Sequence, residues 1–182
     1  MSKNIYKTNV LKLNHRPERD KRITTHCALV GRAFLADSFY FSGVNDKKLI
    51  MTIKNISKNW GGKYNIKYIS KPIEFIKKEK KKNTIIIHLT MYGEKIIDKI
   101  DELKKIKKKK NFLIIIGGPK VQKEYYELAD YNISVTNQPH SEVASLAILL
   151  YLLNPESLIN EKFNNAKIKI IPCKCGKKVI PF

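Results

Sequence analysis

Residues 131–153 read YNISVTNQPHSEVASLAILLYLL, and this stretch decides the fold. Tyr131–Val135 alternates apolar and polar side chains as a β-strand does, whereas the apolar residues of Val143–Leu153 recur at helical spacing. A polar loop, Thr136–Glu142, joins the two. The stretch is therefore predicted to be a strand, a loop and a helix, which is the repeating unit of an α/β domain.

The loop Thr136–Glu142 has two interpretations. It lies where open α/β sheets bind their ligands, outside the carboxyl end of a strand. A turn with a well-capped helix explains the same residues, because Asn137 or Ser141 is a good N-cap and Glu142 suits the positive end of the helix dipole. The local sequence leaves both interpretations open.

The rest of the chain repeats this alternation. It predicts a mainly parallel sheet with helices on both faces, in a single domain of residues 1–182 whose last part, 164–182, is a short strand and a basic tail. The further predicted strands are Val10–Leu13, Ser38–Ser42, Tyr64–Ile69, Thr84–Leu89, Phe112–Ile116 and Ala166–Ile171, and the further helices are Asp20–Ala36, Asp46–Trp60, one from Pro72, Glu94–Lys109 and Gln122–Leu128.

The charge is strongly positive, with 36 Lys and Arg against 16 Asp and Glu and a net charge of +20. Phosphate backbones are the natural partner of such a surface, anionic membrane is the second, and a compositional bias toward Lys accounts for part of the charge. The runs Lys77–Lys82 and Lys104–Lys110 fall at predicted helix ends, where cations suit the dipole, so each is interpreted as a solvated helix end, with RNA contact as the alternative.

No apolar run approaches the roughly 20 residues that span a bilayer, and the N-terminus lacks a secretory signal. We therefore expect a cytoplasmic protein without a membrane partner. Three cysteines do not make a disulfide framework, and Cys173 and Cys175 form a C-x-C without a second ligand pair. Free thiols and no bound metal are expected.

Two more strand ends carry residues suited to a ligand. Thr84–Leu89 opens into Thr90–Gly93, and Phe112–Ile116 opens into Gly117–Lys120. Together with the loop of residues 136–142, these two loops are candidates for the lining of one pocket. Neither a dinucleotide G-x-G-x-x-G nor a P-loop occurs at a strand end, which argues against a conventional NAD or NTP site.

A fourth candidate is the basic segment Asn14–His26, which is rich in Arg, Lys and His. Arginine suits bidentate recognition of phosphate, so an RNA backbone fits here, although salt bridges to Glu18 and Asp20 explain the same composition. Arg32 stands apart because it interrupts an apolar helix, where a guanidinium is either paired or functional.

These residues carry a family resemblance. The sequence resembles the archaeal tRNA cytidine-56 2′-O-methyltransferases, a branch of the SPOUT superfamily, in order from about Leu11 to Val179. The matching words are Asn14–Arg22, Thr24–His26, Arg32–Phe34, Trp60–Gly62, His88–Gly93, Glu127–Asn132 and Asn137–Val143.

The resemblance implies a SPOUT-type α/β fold with a C-terminal trefoil knot, a homodimer, and S-adenosylmethionine as the methyl donor for the ribose of cytidine 56 in the T-loop of tRNA. It also implies where that cofactor binds. The expected cofactor-binding residues are Leu89, Gly117, Gly118, Pro119, Lys120, Val121, Val135, Thr136, Asn137, Gln138, Pro139, His140, Ser141 and Glu142.

By the same resemblance, Arg32 falls at the position of a catalytic arginine. The residues expected to face the tRNA are His15, Arg16, Arg19 and Arg22. Two alternatives remain at this stage: a SPOUT methyltransferase with another RNA target, and a non-catalytic basic RNA-binding protein. Cofactor binding separates the second from the first, because a protein that only binds RNA has no need of S-adenosylmethionine.

Overall fold

A six-stranded parallel sheet forms the body of the protein. The structure is a computed structural model and describes residues 6–118, 120–159 and 163–181. The strands are β1 (Thr8–His15), β2 (Ser38–Gly43), β3 (Asn65–Tyr68), β4 (Thr84–Lys95), β5 (Asn111–Ile116), β6 (Tyr131–Ser134), β7 (Ile168–Ile171) and β8 (Lys178–Pro181). The helices are α1 (Pro17–Ala33), α2 (Lys47–Trp60), α3 (Pro72–Lys80), α4 (Ile96–Lys107), α5 (Lys123–Leu128), α6 (Glu142–Leu153) and α7 (Pro155–Ile159).

The strand order in the main sheet is β3-β2-β1-β5-β4-β6, and every neighbouring pair is parallel. Parallel neighbours need crossover connections, and helices supply them here. The carboxyl ends of all six strands consequently lie at one edge of the sheet and the amino ends at the other. This confirms the predicted α/β class with a parallel sheet.

Two apolar layers cover the sheet, one on each face. In β1, Val10 packs with α1, α2, α4 and α6, whereas Leu11 and Leu13 pack with α3 and α5. Successive side chains of a strand point to opposite faces, so a strand buried on both sides reads as a continuous apolar run. The runs Thr84–Leu89 and Phe112–Ile116 have this pattern because their strands are interior.

The boundary between β4 and α4 differs from the prediction. The sequence predicted a helix over Glu94–Lys109, but Glu94 pairs with Ile133 and Lys95 with Ser134 as part of β4, and the helix begins at Ile96. A helical pattern does not reveal where pairing with a distant strand takes over. The predicted start of this helix is wrong because Glu94 and Lys95 pair with β6 instead.

Helix α1 is displaced toward the N-terminus relative to its predicted range, Asp20–Ala36. It begins at Pro17, since a proline at the first helical position costs no hydrogen bond and its φ is already helical. It ends at Ala33, because Leu35 adopts a φ of 66° and Ala36 N–H donates to Gly31 O at 2.8 Å. The chain thus reverses early enough to enter β2 at Ser38.

The C-terminal region contains more structure than the predicted strand and tail. Strands β7 and β8 pair as an antiparallel hairpin beside α2. The predicted strand is present, and residues 178–181 of the predicted basic tail form a second strand that pairs with 168–171. Helix α7 was not predicted either. No helix among the described residues has both the length and the apolarity needed to cross a bilayer.

One residue of the Lys104–Lys110 run is buried rather than solvated. The run does end α4, as predicted, but Lys107 is only 7% exposed. Its Nζ donates to Tyr6 O at 2.6 Å and lies 5.8 Å from the centre of the Phe112 ring. Burial lowers the pKa of Lys107 to about 8, against an opposing effect of Asp37. The solvated-end interpretation is wrong for this residue.

Candidate active site

A cavity of about 500 Å³ opens at the carboxyl edge of the sheet. The ends of β4 and β5, the loop before α6 and the first turns of α6 surround it, as expected for a ligand site of an open α/β sheet. The lining residues are Ile23, His88, Leu89, Thr90, Met91, Tyr92, Gly117, Gly118, Lys120, Val121, Tyr126, Pro139, His140, Ser141, Glu142 and Ser145.

Strand β4 pairs with β6 twice, which brings two of these walls together. Ile133 pairs with Leu89 and again with Glu94, so residues 90–93, predicted to be a loop after the strand, are an irregular part of β4 that leaves β6 and then rejoins it. Gly93 lies so close to the backbone of Asn132 that a Cβ there would collide with the carbonyl. Only glycine allows this approach, which explains its presence in the loop.

The loop before α6 is fixed against the β4 loop by a side chain. Asn137 Nδ2 donates to Met91 O at 2.8 Å and to Gly93 O at 3.3 Å. Asn137 is therefore not the helix cap; Ser141 is, since its Oγ accepts from Val143 N–H at 3.2 Å. Of the two capping candidates in the sequence, Ser141 is correct.

The structure brings most of the expected cofactor-binding residues to the cavity. Those that line it are Leu89, Gly117, Gly118, Lys120, Val121, Pro139, His140, Ser141 and Glu142. Those among the expected residues that do not line it are Val135, Thr136, Asn137 and Gln138, and Pro119 lies outside the described residues. Val135 instead packs against the core, and Asn137 holds the loop in place.

The lining residues not expected to bind cofactor have two origins. His88 and residues 90–92 belong to β4, and the sequence had marked 90–92 as pocket lining. Ser145 lies one helical turn beyond Glu142 on α6, whereas Ile23 and Tyr126 come from α1 and α5, so long-range packing rather than a local pattern brings these two here.

His88 is an uncharged acceptor at the cavity wall. Asn132 Nδ2 donates to Tyr126 O at 3.0 Å, which leaves Asn132 Oδ1 to accept from His88 Nδ1–H at 2.9 Å. Burial lowers the pKa of His88, and the bond to Asn132 opposes this only in part. With its hydrogen on Nδ1, the neutral ring keeps a lone pair on Nε2.

A buried ion pair lies beside the cavity. Lys12, only 1% exposed, donates from Nζ to Leu13 O at 3.0 Å and lies 3.3 Å from Glu142 Oε2. Glu142 Oε2 is covered but has no hydrogen-bond partner in the described part of the chain. Burial, and next the charge of Glu142, raise the pKa of the neighbouring Cys27 to about 12, with Lys12 opposing. The Cys27 thiol is thus inert. The Glu142 residue itself lines the cavity.

Arg32 lies away from the cavity, near the amino edge of the sheet. Its Nη2 donates to Gly61 O at 2.7 Å, and its Cζ lies 4.7 Å from the centre of the Phe163 ring. Burial lowers its pKa, an effect that Tyr64 opposes. The sequence left open whether Arg32 is paired or functional; the structure shows that it is paired, and in a single chain it does not reach the cavity.

The expected RNA-facing residues separate into two groups. His15 is fully buried: Nδ1 lies 2.9 Å from Thr24 Oγ1 and Nε2 lies 3.4 Å from Asp46 Oδ2. Burial opposes ionisation of Asp46, but hydrogen bonds from Leu49 N–H, from His15 and from a further backbone N–H lower its pKa. The assignment of His15 to the RNA side is therefore corrected to a structural role.

The arginines remain candidates for contact with RNA. Arg19 and Arg22 are exposed on the first turns of α1, and Arg16 is partly exposed at its start. The nearby Ile23 lines the cavity, so this basic helix start borders the cavity mouth. Glu18, one of the proposed salt-bridge partners, is exposed to solvent.

Comparison with known proteins identifies the family. Residues 60–180 match the model of the tRNA ribose 2′-O-methyltransferase family, aTrm56. The tRNA (cytidine(56)-2′-O)-methyltransferase of Pyrococcus horikoshii is 48% identical over 172 residues, covering 94% of this chain and 83% of that protein. The chain belongs to this family.

A second aTrm56 relative covers both chains almost completely. The tRNA (cytidine(56)-2′-O)-methyltransferase of Methanocaldococcus jannaschii is 47% identical over 171 residues, which is 94% of each chain. The resemblance proposed from the sequence words is thereby confirmed.

Solved structures share the fold of this aTrm56 chain. The SpoU methyltransferase AviRb from Streptomyces viridochromogenes, in complex with the cofactor AdoMet, superimposes with a TM-score of 0.60 at 11% identity, over 84% of this chain and 58% of that longer chain. The TrmH/SpoU tRNA-modifying enzyme of A. aeolicus superimposes with a TM-score of 0.59 at 15% identity, over 84% of this chain and 76% of that chain. The SPOUT-type α/β fold is thus confirmed.

Proposed function

We propose that this chain transfers a methyl group from S-adenosylmethionine to the ribose 2′-oxygen of cytidine 56 in the T-loop of tRNA, in the cytoplasm. One observation carries the proposal: three strand-end loops close a single cavity in a chain of the aTrm56 family. The relatives reported above are tRNA (cytidine(56)-2′-O)-methyltransferases.

The cavity suits this cofactor in size and charge. Its volume of about 500 Å³ falls in the usual range for small-molecule sites. A Cβ added to Gly118 would meet nothing within 4 Å, so open space borders the backbone there. Glu142 lines the cavity, and a carboxylate attracts a cation such as a sulfonium, although Lys12 Nζ, 3.3 Å from Oε2, offsets part of its charge.

When bound, S-adenosylmethionine supplies an electrophilic methyl group on a positively charged sulfur. The chain's own residues bind this cofactor and orient its methyl group. Gly117 and Gly118 permit close backbone approach, Glu142 presents negative charge, and Lys12 fixes that carboxylate from the core side. Alignment of this kind accelerates an in-line displacement without any redox step.

Arg32 is the residue we propose to act on the RNA. A guanidinium with a pKa above about 12 in water is a poor base, but it holds a phosphate or a developing alkoxide well. We assign it the positioning of the 2′-oxygen and the stabilisation of charge there. Arg32 Nε is buried without a hydrogen-bond partner in the described structure, so the group has donor capacity to spare.

The location of Arg32 supports a homodimer. It lies nine residues beyond Ile23 on α1, which is about 13 Å along the helix. We propose that Arg32 of one copy faces the cavity of the other. Helices α1 and α6 pack together and expose apolar side chains, with Ile23 38%, Ile148 42% and Tyr151 52% exposed, which is the kind of surface a second copy covers.

The tRNA is proposed to approach the start of α1. Arg16, Arg19 and Arg22 lie beside the cavity mouth, and the chain has a net charge of +20. Arginine binds phosphate through paired donors, so these side chains suit the RNA backbone. We also propose the trefoil knot, on the ground that the chain belongs to the aTrm56 family, whose resemblance implies it.

The test is a methylation assay with S-adenosylmethionine carrying a labelled methyl group and an unmodified archaeal tRNA transcript. The label is mapped by nuclease digestion and mass spectrometry, with a transcript lacking the T-loop cytidine as the control. Label on the ribose of cytidine 56 is expected. Label at another nucleotide would keep the chemistry but replace the substrate, and no label with intact RNA binding would favour the non-catalytic protein.

A further inference from the structure

The C-terminal segment docks onto the end of α2 through its backbone. Gly62 N–H donates to Asn164 O at 2.8 Å, and Lys167 N–H donates to Asn59 O at 2.8 Å. These two bonds fix residues 163–167 beside the turn that follows Trp60. The segment lies outside the six-stranded sheet, and the cavity does not use it.

Two glycines make this docking possible. Gly61 and Gly62 have φ values of 74° and 81°, which a residue with a Cβ rarely adopts. A Cβ at Gly61 would lie 2.7 Å from Asn164 O, and a Cβ at Gly62 would lie 2.7 Å from Cδ1 of Phe163. The Gly-Gly pair after α2 thus receives residues 163–166 at close range.

The docked segment completes the surroundings of Arg32. The Gly61 carbonyl accepts from Nη2 at 2.7 Å, while the Phe163 ring lies 4.7 Å from Cζ. A flexible guanidinium is thereby held by a hydrogen bond and by a cation–π contact. The contact with Phe163 requires the docked segment, whereas the hydrogen bond joins Arg32 to the turn after α2 that receives this segment.

We propose that the C-terminal segment 163–167 positions the catalytic guanidinium, with Phe163 as the positioning residue that sets the orientation of Arg32. This inference rests on the proposed function, which gives Arg32 its catalytic role. Phe163 touches neither the cavity nor the reacting atoms, so its effect on the reaction passes through Arg32. Loss of the ring should lower kcat and leave cofactor binding unchanged.

The test compares Phe163→Leu, which keeps the apolar bulk without an aromatic face, with Phe163→Tyr, which keeps the ring. We expect Phe163→Leu to lower kcat about tenfold, which is within the range of a partly buried cation–π contact, while Phe163→Tyr stays within about twofold of the wild type. The affinity for S-adenosylmethionine, measured by calorimetry, should be the same in all three proteins, and the Tm of Phe163→Leu should fall by only a few degrees because the same contact is lost from the folded state.

The outcomes separate this inference from the proposed function. If Arg32→Ala is inactive and Phe163→Leu has the wild-type kcat, the positioning role is wrong and the proposed function stands. If Arg32→Ala keeps the wild-type kcat, the catalytic role of Arg32 fails and the inference fails with it. An equal loss in Phe163→Leu and Phe163→Tyr, or a loss of cofactor affinity in either, would also overturn it.

Discussion

The two edges of the sheet use their polar groups differently. At the amino edge, Asp37 accepts from Thr8 N–H at 2.7 Å and Asp130 accepts from Ile86 N–H at 2.8 Å, so side chains there complete the hydrogen bonding of strands. At the carboxyl edge, the loops leave an open cavity lined by Glu142, whose only charged partner among the described residues is the buried Lys12. One edge is built for stability and the other for binding.

Arg32 is the exception that gives this contrast its functional meaning. It is a candidate catalytic group near the stable edge, about 13 Å along α1 from the cavity residue Ile23. In a single chain, the cavity and Arg32 are therefore apart. This difference between the edges favours our proposal that two copies of the chain form one complete site, and the predictions below test that proposal.

The largest effect is expected when Arg32 is removed in one chain and the cavity is blocked in the other chain of a dimer. Arg32→Ala should lower methyl transfer at least about a hundredfold, since it removes a charge-stabilising donor. Gly118→Leu should also inactivate, because its side chain fills the cavity. When the two variants are mixed and reassembled, about a quarter of the wild-type activity should return, because half of the dimers are mixed and each has one complete site.

The measurement is labelled methyl transfer to tRNA before and after reassembly. Each variant refolded alone is the control and should stay inactive. Restored activity requires that Arg32 of the Gly118→Leu chain acts at the cavity of the Arg32→Ala chain. Persistent inactivity of mixed dimers, with their formation verified by two different affinity tags, would place Arg32 and the cavity of the same chain in one site.

The next effect concerns the carboxyl edge alone. Because a Cβ at Gly118 meets open space, Gly118→Leu should fold normally and raise the Kd for S-adenosylmethionine at least about tenfold. Calorimetry measures the Kd, and thermal unfolding checks the fold. The matched control is Gln122→Leu, at an exposed position of the same connection between β5 and α5 that does not line the cavity. Equal Kd values for both variants would mean that the cofactor does not occupy this space.

The carboxyl edge was largely predictable from the sequence, and the amino edge was not. Strand ends follow from local apolar runs, so the loops after residues 89, 116 and 135 could be located without a structure. The contacts of Arg32 depend on Phe163, which is more than a hundred residues away in the chain. No local pattern contains that pairing.

Burial of charged residues was the other failure of sequence reasoning. Periodicity places Lys12 on a strand and Lys107 on a helix, but only the packing of α6 and of the chain before β1 covers them. The buried His15 was likewise mistaken for a surface residue because its neighbours are basic and exposed. Local composition reports the average surroundings of a segment, not those of one side chain.

The third effect tests what fixes the cavity wall to the core. Lys12→Met should lower the free energy of unfolding by about 3 kcal/mol, because it leaves the Glu142 carboxylate covered and without a counter-charge. The double variant Lys12→Met with Glu142→Gln should recover a large part of that loss. Denaturant unfolding measures all three proteins, and purely additive losses would mean that the two residues do not interact.

The smallest effect tests the stable edge through Lys107. Its pKa is about 8 in the folded protein against 10.5 ordinarily, so between these values the unfolded chain binds more protons than the folded one. This residue therefore makes the free energy of unfolding rise with pH, by about 2 kcal/mol between pH 8 and pH 10. The Cys27 thiol acts in the opposite direction, because burial raises its pKa from 9.0 to about 12.

The informative quantity is thus the difference in the free energy of unfolding between the wild type and Lys107→Met at each pH. The Cys27 contribution cancels in that difference. That difference should shift in favour of the wild type as the pH rises, since deprotonation removes the cost of a buried ammonium. A difference that stays constant from pH 8 to pH 10 would mean that Lys107 is solvated. Lys107 would then not be among the buried polar groups that hold the amino edge together.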